Sequence, residues 1–70
     1  MREVKIKDSS NIKSLFYFDG LKQLYVFFQS SSLYVYDDIE IEEVNKLSAE
    51  QGSKYFYDEI REKKKYTKRY

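Results

Sequence analysis

Residues 24–36 read Leu24-Tyr25-Val26-Phe27-Phe28-Gln29-Ser30-Ser31-Ser32-Leu33-Tyr34-Val35-Tyr36. Two runs of aromatic and β-branched side chains, Leu24 to Gln29 and Leu33 to Tyr36, flank three serines, which is the pattern of two strands joined by a turn. Upstream, Ile12 to Phe18 forms another such run. Asp19-Gly20, followed by the patternless Leu21 to Gln23, predicts a loop of about four or five residues before the chain re-enters the sheet. Val4 and Ile6 alternate with Glu3, Lys5 and Lys7 as in a short half-buried strand, which the turn formers Asp8-Ser9-Ser10-Asn11 end. The first half is therefore expected to hold four strands, the last three in an antiparallel meander.

The second half changes period. Ile41, Val44 and Leu47 recur on one helical face with Glu42, Glu43 and Lys46 on the other, and Asp37 with Glu40 three residues later predicts a capping box. This helix should end near Ala49. Gly52 interrupts the pattern and Ser53 is expected to cap a second helix, whose buried face holds Phe56, Ile60 and part of Tyr55. A single helix across Gly52 is the alternative, at a cost of about 1 kcal/mol for the glycine. Strands followed by helices predict an α+β fold, a small antiparallel sheet with two C-terminal helices packed on one face.

The chain has 70 residues, with 8 Tyr and 5 Phe but no Cys, His, Trp or Pro. That is one domain, residues 1–70, too small to bury more than about 60% of its unfolded surface. Without cysteine or histidine there is no disulfide and no structural zinc of the usual kind. The commonest general base and the most reactive nucleophile are missing too, so an enzyme is not expected, and neither is a cofactor. No apolar run exceeds the five residues Leu24 to Phe28, so no membrane span is expected and the chain reads as cytoplasmic. Its net charge of +1 conceals three blocks. Residues 1–36 carry five basic and three acidic side chains, residues 37–62 three basic and nine acidic, and residues 63–70 five basic and none acidic.

In this order the chain resembles the KTSC domain, a small family named for a domain at the C-terminus of some lysyl-tRNA synthetases. The matching residues are Ser9-Ser10-Asn11-Ile12, Tyr17, Leu24-x-Val26-x-Phe28, Tyr34-x-Tyr36, Leu47, Ala49, Phe56, Ile60-Arg61 and Tyr66. The resemblance implies a bacterial or phage module rather than a reaction, with RNA or nucleic acid as the ligand proposed for the family and no established mechanism. It also implies that Tyr17, Tyr34, Tyr36 and Phe56 are core residues. The chain departs from the family at Phe16-Tyr17-Phe18, where the family has Gly-Tyr-Asp, at Ser31, where it has a hairpin glycine, and at Tyr57, where it has asparagine.

Two surfaces are candidates for binding. The basic-aromatic segment 61–70 combines cations with tyrosines, the composition of a nucleic-acid contact, since cations neutralise phosphates and tyrosines stack on unpaired bases. Its candidate contacts are Arg61, Lys63, Lys64, Lys65, Tyr66, Lys68 and Arg69, with Tyr70 at the end. A solvated helix end and an intramolecular ion pair for Arg61 are the structural alternatives. Strand alternation puts Leu24, Val26 and Phe28 with the core tyrosines, which leaves Phe16, Phe18, Tyr25, Phe27, Leu33 and Val35 on the other face. Six apolar side chains exceed what a monomer normally exposes. Coverage by the N-terminal strand or a homodimer interface is expected, with a base-stacking platform or another protein as alternatives; the chain would then be a phage or mobile-element protein acting on a host protein. The acids Asp37, Asp38, Glu40, Glu42 and Glu43 lack the spacing of a calcium loop, so no metal site is expected. They are a candidate mimic of nucleic-acid phosphates. Ser9-Ser10-Asn11 reads as a turn, since nothing near it would activate a serine.

Overall fold

A computed structural model describes residues 1–7 and 9–69 of the chain. Asp8 of the expected turn and Tyr70 of the basic segment lie outside the described residues. Five strands, β1 (Arg2–Val4), β2 (Ile12–Phe18), β3 (Gln23–Phe28), β4 (Leu33–Tyr36) and β5 (Tyr66–Lys68), form one antiparallel sheet in sequence order. Between β4 and β5 the chain makes α1 (Ile41–Leu47) and α2 (Gly52–Tyr55), which continues as a π-helical turn, Phe56–Arg61. The expected α+β class and the meander hold, with strand bounds displaced by a residue at most for β2 to β4.

The registers fix the faces. Val26 pairs with Leu15 and Tyr34, and Leu24 with Tyr17 and Tyr36, so these side chains share one side of the sheet. Val44, Leu47, Phe56 and Ile60 from the helices join them in one core, together with Ile39 and Ile12. The Tyr17 hydroxyl donates to the Ile39 carbonyl at 2.6 Å, which satisfies both groups in the interior. Val4 lies opposite Leu15 and joins this same core, so β1 extends the sheet sideways and does not cover its second face. That corrects the expectation that the N-terminal strand shields the second face.

Two local devices differ from the sequence reading, and a third, the break at Gly52, agrees with it. The capping box of α1 is Glu40 with Glu43, three residues on from the expected Asp37, which instead accepts from the Gln23 side chain at 3.0 Å. Glu43 also accepts from the Tyr55 hydroxyl at 3.2 Å and pairs with Lys64 at 3.1 Å, so one carboxylate ties α1, α2 and the segment entering β5 together. Burial opposes its charge, but the Glu40 N–H, Lys64 and Tyr55 outweigh this and hold the carboxyl below its ordinary range. The second helix starts from Gln51 rather than Ser53, with no side-chain cap. Gly52 is required for space: a Cβ there would collide with the Leu47 carbonyl oxygen, where the end of α1 meets the start of α2. The two helices are thus separate, and a single helix is excluded.

The serine turn is a three-residue hairpin loop. Phe28 N–H donates to Ser32 O at 2.9 Å, Ser31 N–H to Phe28 O at 3.0 Å, and Ser31 adopts φ 71°. A type I turn followed by one left-handed residue is a standard solution for this length, and the left-handed position favours glycine.

Candidate nucleic-acid interface

The basic segment is not a frayed helix end. Its last part is β5, which pairs Tyr66 with Tyr36 and Lys68 with Tyr34, and Arg69 N–H extends the ladder to Leu33 O at 2.7 Å. Alternation therefore puts Tyr66 and Lys68 on the helical side and Arg69 on the other. Lys63 pairs with Glu59 at 2.9 Å, and Lys64 donates to the Asp38 carbonyl at 2.7 Å as well as pairing with Glu43. These two lysines brace the fold. Arg61, Lys65, Lys68 and Arg69 make no ion pair among the described residues, so the anticipated pairing of Arg61 is not found there.

Arg61 instead lies over the Tyr57 ring, its guanidinium carbon 5.6 Å from the centroid. The π-helical turn explains the placement. Phe56 and Ile60 are fully buried, and Tyr57 and Arg61, each one residue further on, turn together to the outside. Such widened turns are rare and frequent at functional sites. Across from them stands the wall formed by β4 and β5. The Tyr34 and Tyr36 rings lie 6.3 Å apart, and Tyr66 packs on both at 5.3 and 5.6 Å. Phe28 meets Tyr34 edge-on at 5.4 Å, and Phe56 links this wall to the helix by touching Tyr36 and Tyr57. Lys68 stands over the Tyr34 ring at 6.0 Å.

Between the walls is a cleft of about 520 Å³. Its aromatic lining is Phe28, Tyr34, Tyr36, Tyr57 and Tyr66; Arg61 and Glu62 stand at the helical side, and Asn11, Gln29, Ser30 and Ser32 supply polar groups from the loops at the far end. Asn11 donates to the Tyr57 hydroxyl at 3.3 Å and its carbonyl accepts from Gln29 N–H at 2.7 Å, which joins the loops to the helix. Six of these residues, Asn11, Phe28, Tyr34, Tyr36, Arg61 and Tyr66, are among those that carry the family resemblance. Tyr36 is 2% exposed, and loss of water pushes its hydroxyl up to about 12 despite the opposing pull of Arg61. Tyr34 is only half-buried: it packs against the core from the cleft wall, while Tyr17, Tyr36 and Phe56 lie within it.

Sequence reasoning found Arg61, Tyr66 and Lys68 but missed Tyr57, Asn11 and the serine loop as their neighbours. The spacing of four between Tyr57 and Arg61 was the available signal. Lys65 is exposed but does not line the cleft, Arg69 lies on the opposite face, and Lys63 and Lys64 are engaged elsewhere.

The second sheet face keeps the six expected residues together. Leu33 and Val35 are buried there, at 8% and 2% exposure. Phe16 packs edge-on against Phe27 at 6.0 Å, and Phe18 tilts against Tyr25 at 4.7 Å; all four are half-buried. Among the described residues no helix or strand covers this face. The acidic stretch is largely engaged within the molecule, Glu40 with Lys22 at 3.2 Å and Glu43 as above, and no three carboxylates gather as a cation site among the described residues. Ser9 Oγ accepts from Ile12 N–H at 3.1 Å, a turn role. No helix among the described residues is long and apolar enough to cross a membrane.

No curated protein is significantly similar to the chain. A family model described as the KTSC domain matches residues 8–66, which reaches from the turn before β2 to the first residue of β5 and includes every aromatic wall of the cleft. With most of its length so matched, the chain belongs to the KTSC domain family.

Proposed function

We propose that the protein is a non-catalytic module that binds single-stranded nucleic acid, RNA or DNA, at the cleft between β4–β5 and the π-helical turn. The observation that carries this reading is the placement of Arg61, a cation with no carboxylate partner among the described residues, on the rim of a tyrosine-walled cleft. Guanidinium groups neutralise phosphates, and aromatic faces stack on unpaired bases for about 1 to 3 kcal/mol each. Lys68 adds charge beside the same cleft, over the Tyr34 ring, whereas Lys63 and Lys64 are paired with carboxylates of the fold. The reading is tested by mixing the full chain at low salt with single-stranded and duplex oligonucleotides of equal length. Preferential retention of single strands supports it, and retention of neither removes it.

A second reading rests on a different observation. The half-buried Phe16, Phe18, Tyr25 and Phe27 form one aromatic patch that lacks cover among the described residues. A two-fold homodimer through this face removes that patch from water without blocking the cleft, which lies on the helical side.

A further inference from the structure

We infer that the cleft is a one-base pocket, which takes a single nucleobase swung out of its strand while the phosphates on either side meet Arg61 and Lys68. This rests on the nucleic-acid reading above and deepens it. A surface that stacks successive bases spreads its aromatic side chains along an open groove. Here the rings are gathered instead: Tyr34, Tyr36 and Tyr66 lie within 6.3 Å of one another on the sheet wall, and Tyr57 faces the same space from the helix. The cleft is open to solvent on one side, and its volume of about 520 Å³ falls in the range of sites for small ligands, about 300 to 1,000 Å³, which is the scale of one nucleotide and not of a run.

The polar groups are placed to suit such a guest. Asn11 spends one amide N–H on the Tyr57 hydroxyl, which leaves its side-chain carbonyl and second N–H for a ligand at the loop end of the cleft. An amide with one donor and one acceptor matches the edge of a base, and the Ser30 and Ser32 hydroxyls, the first donating to the second at 3.2 Å, line the same cleft. The two cations are divided between the walls, Arg61 over Tyr57 and Lys68 over Tyr34. A backbone that dips one base between these walls thus meets a cation on each side. A base held in a duplex is stacked on both faces and paired along its edge, so it can use none of these groups.

The test compares three RNA probes with the full chain: a duplex carrying one bulged adenosine, the same duplex with an abasic nucleotide in the bulge, and the blunt duplex. The first two have the same backbone charge, so their difference isolates the base. The adenosine bulge is expected to bind at least about fivefold more tightly than the abasic one, the lower limit for stacking one base. Tyr57→Leu should abolish that difference, and backbone amide shifts at Ser30, Ser32 and Tyr57 of the unsubstituted protein should appear with the adenosine probe alone. Equal affinity for the two bulges, with single strands still bound, overturns the one-base pocket and leaves the nucleic-acid reading standing. No binding of single strands or of any probe overturns both.

Discussion

The guanidinium of Arg61 stands over the ring of Tyr57, four residues earlier in the same π-helical turn. This pair makes a helix end into one wall of the cleft. Phe56 and Ile60, the residues just before each of them, anchor the turn in the core, so the wall is held by the best-buried part of the domain. A rigid element under a binding residue keeps the entropy cost of binding low.

Tyr34 and Tyr36 are neighbours on one strand with different duties. Tyr36→Ala should cost about 3 to 5 kcal/mol, the usual range for truncating a buried aromatic, and leave little folded protein. Tyr34→Ala should remain folded, because the side chain is only half-buried, and should weaken oligonucleotide binding. Urea denaturation with a binding titration separates the two; an unfolded Tyr34→Ala would return that residue to the core.

The strands were legible from period-2 alternation and from the Asp19-Gly20 and serine turns, but alternation leaves Leu24, Val26 and Phe28 against Tyr25 and Phe27 as two apolar faces, and only the resemblance of Tyr17, Tyr34 and Tyr36 to the family's core tyrosines chose between them. Residues 66–68 were not legible as a strand. Three residues with two charges nearby carry no periodic signal, and only pairing with β4 makes them one. Tyr57 carried a signal in its spacing of four from Arg61, but nothing in the sequence places the pair across from β4 and β5. The place of Gly52 was read correctly as a break, but its cause, contact with the Leu47 carbonyl, is tertiary.

Ser31 occupies a left-handed position at φ 71°, where the family has glycine. Left-handed backbone costs a non-glycine residue about 1 to 3 kcal/mol, and glycine's extra freedom when unfolded returns part of that. Ser31→Gly is expected to stabilise the protein by about 0.5 to 1 kcal/mol without altering the hairpin. A denaturation midpoint at or below that of the unsubstituted chain would show that the hairpin does not strain Ser31.

Alkaline stability should be governed by buried phenols. Burial pushes the Tyr36 hydroxyl up to about 12, and burial with the nearby Glu43 does the same for Tyr55. An unfolded tyrosine ionises near 10. Above that pH the unfolded chain has lost a proton that the folded chain retains, so stability is full below about pH 10 and declines as pH rises toward 12. For Tyr36 the slope approaches about 1.4 kcal/mol per pH unit. Melting temperatures from pH 8 to 11.5 should fall less steeply for Tyr36→Phe than for the unsubstituted chain. Parallel curves would mean that Tyr36 ionises as freely when folded as when unfolded.

The aromatic patch opposite the helices gives a separate expectation. The proposed homodimer predicts that the unsubstituted chain sediments as a dimer and Phe27→Asp as a folded monomer, because the charge would be desolvated at the centre of the interface. An unsubstituted chain that is monomeric at high micromolar concentration removes the dimer from consideration, and a dimer indifferent to the charge relocates it.

The measurement closest to the central claim is the affinity for a single-stranded oligonucleotide between 50 and 200 mM salt, taken for the unsubstituted chain and for Arg61→Gln. Released counterions make the logarithm of affinity fall linearly with that of salt, by about 0.7 for each phosphate neutralised on a single strand. The expected result is a steep fall for the unsubstituted chain, with weaker binding and a slope smaller by about 0.7 for Arg61→Gln, while Lys63→Gln leaves the slope unchanged because Lys63 is paired with Glu59. Binding indifferent to salt, or a slope that Arg61→Gln does not change, would contradict the assignment of Arg61 to a phosphate at the mouth of the cleft.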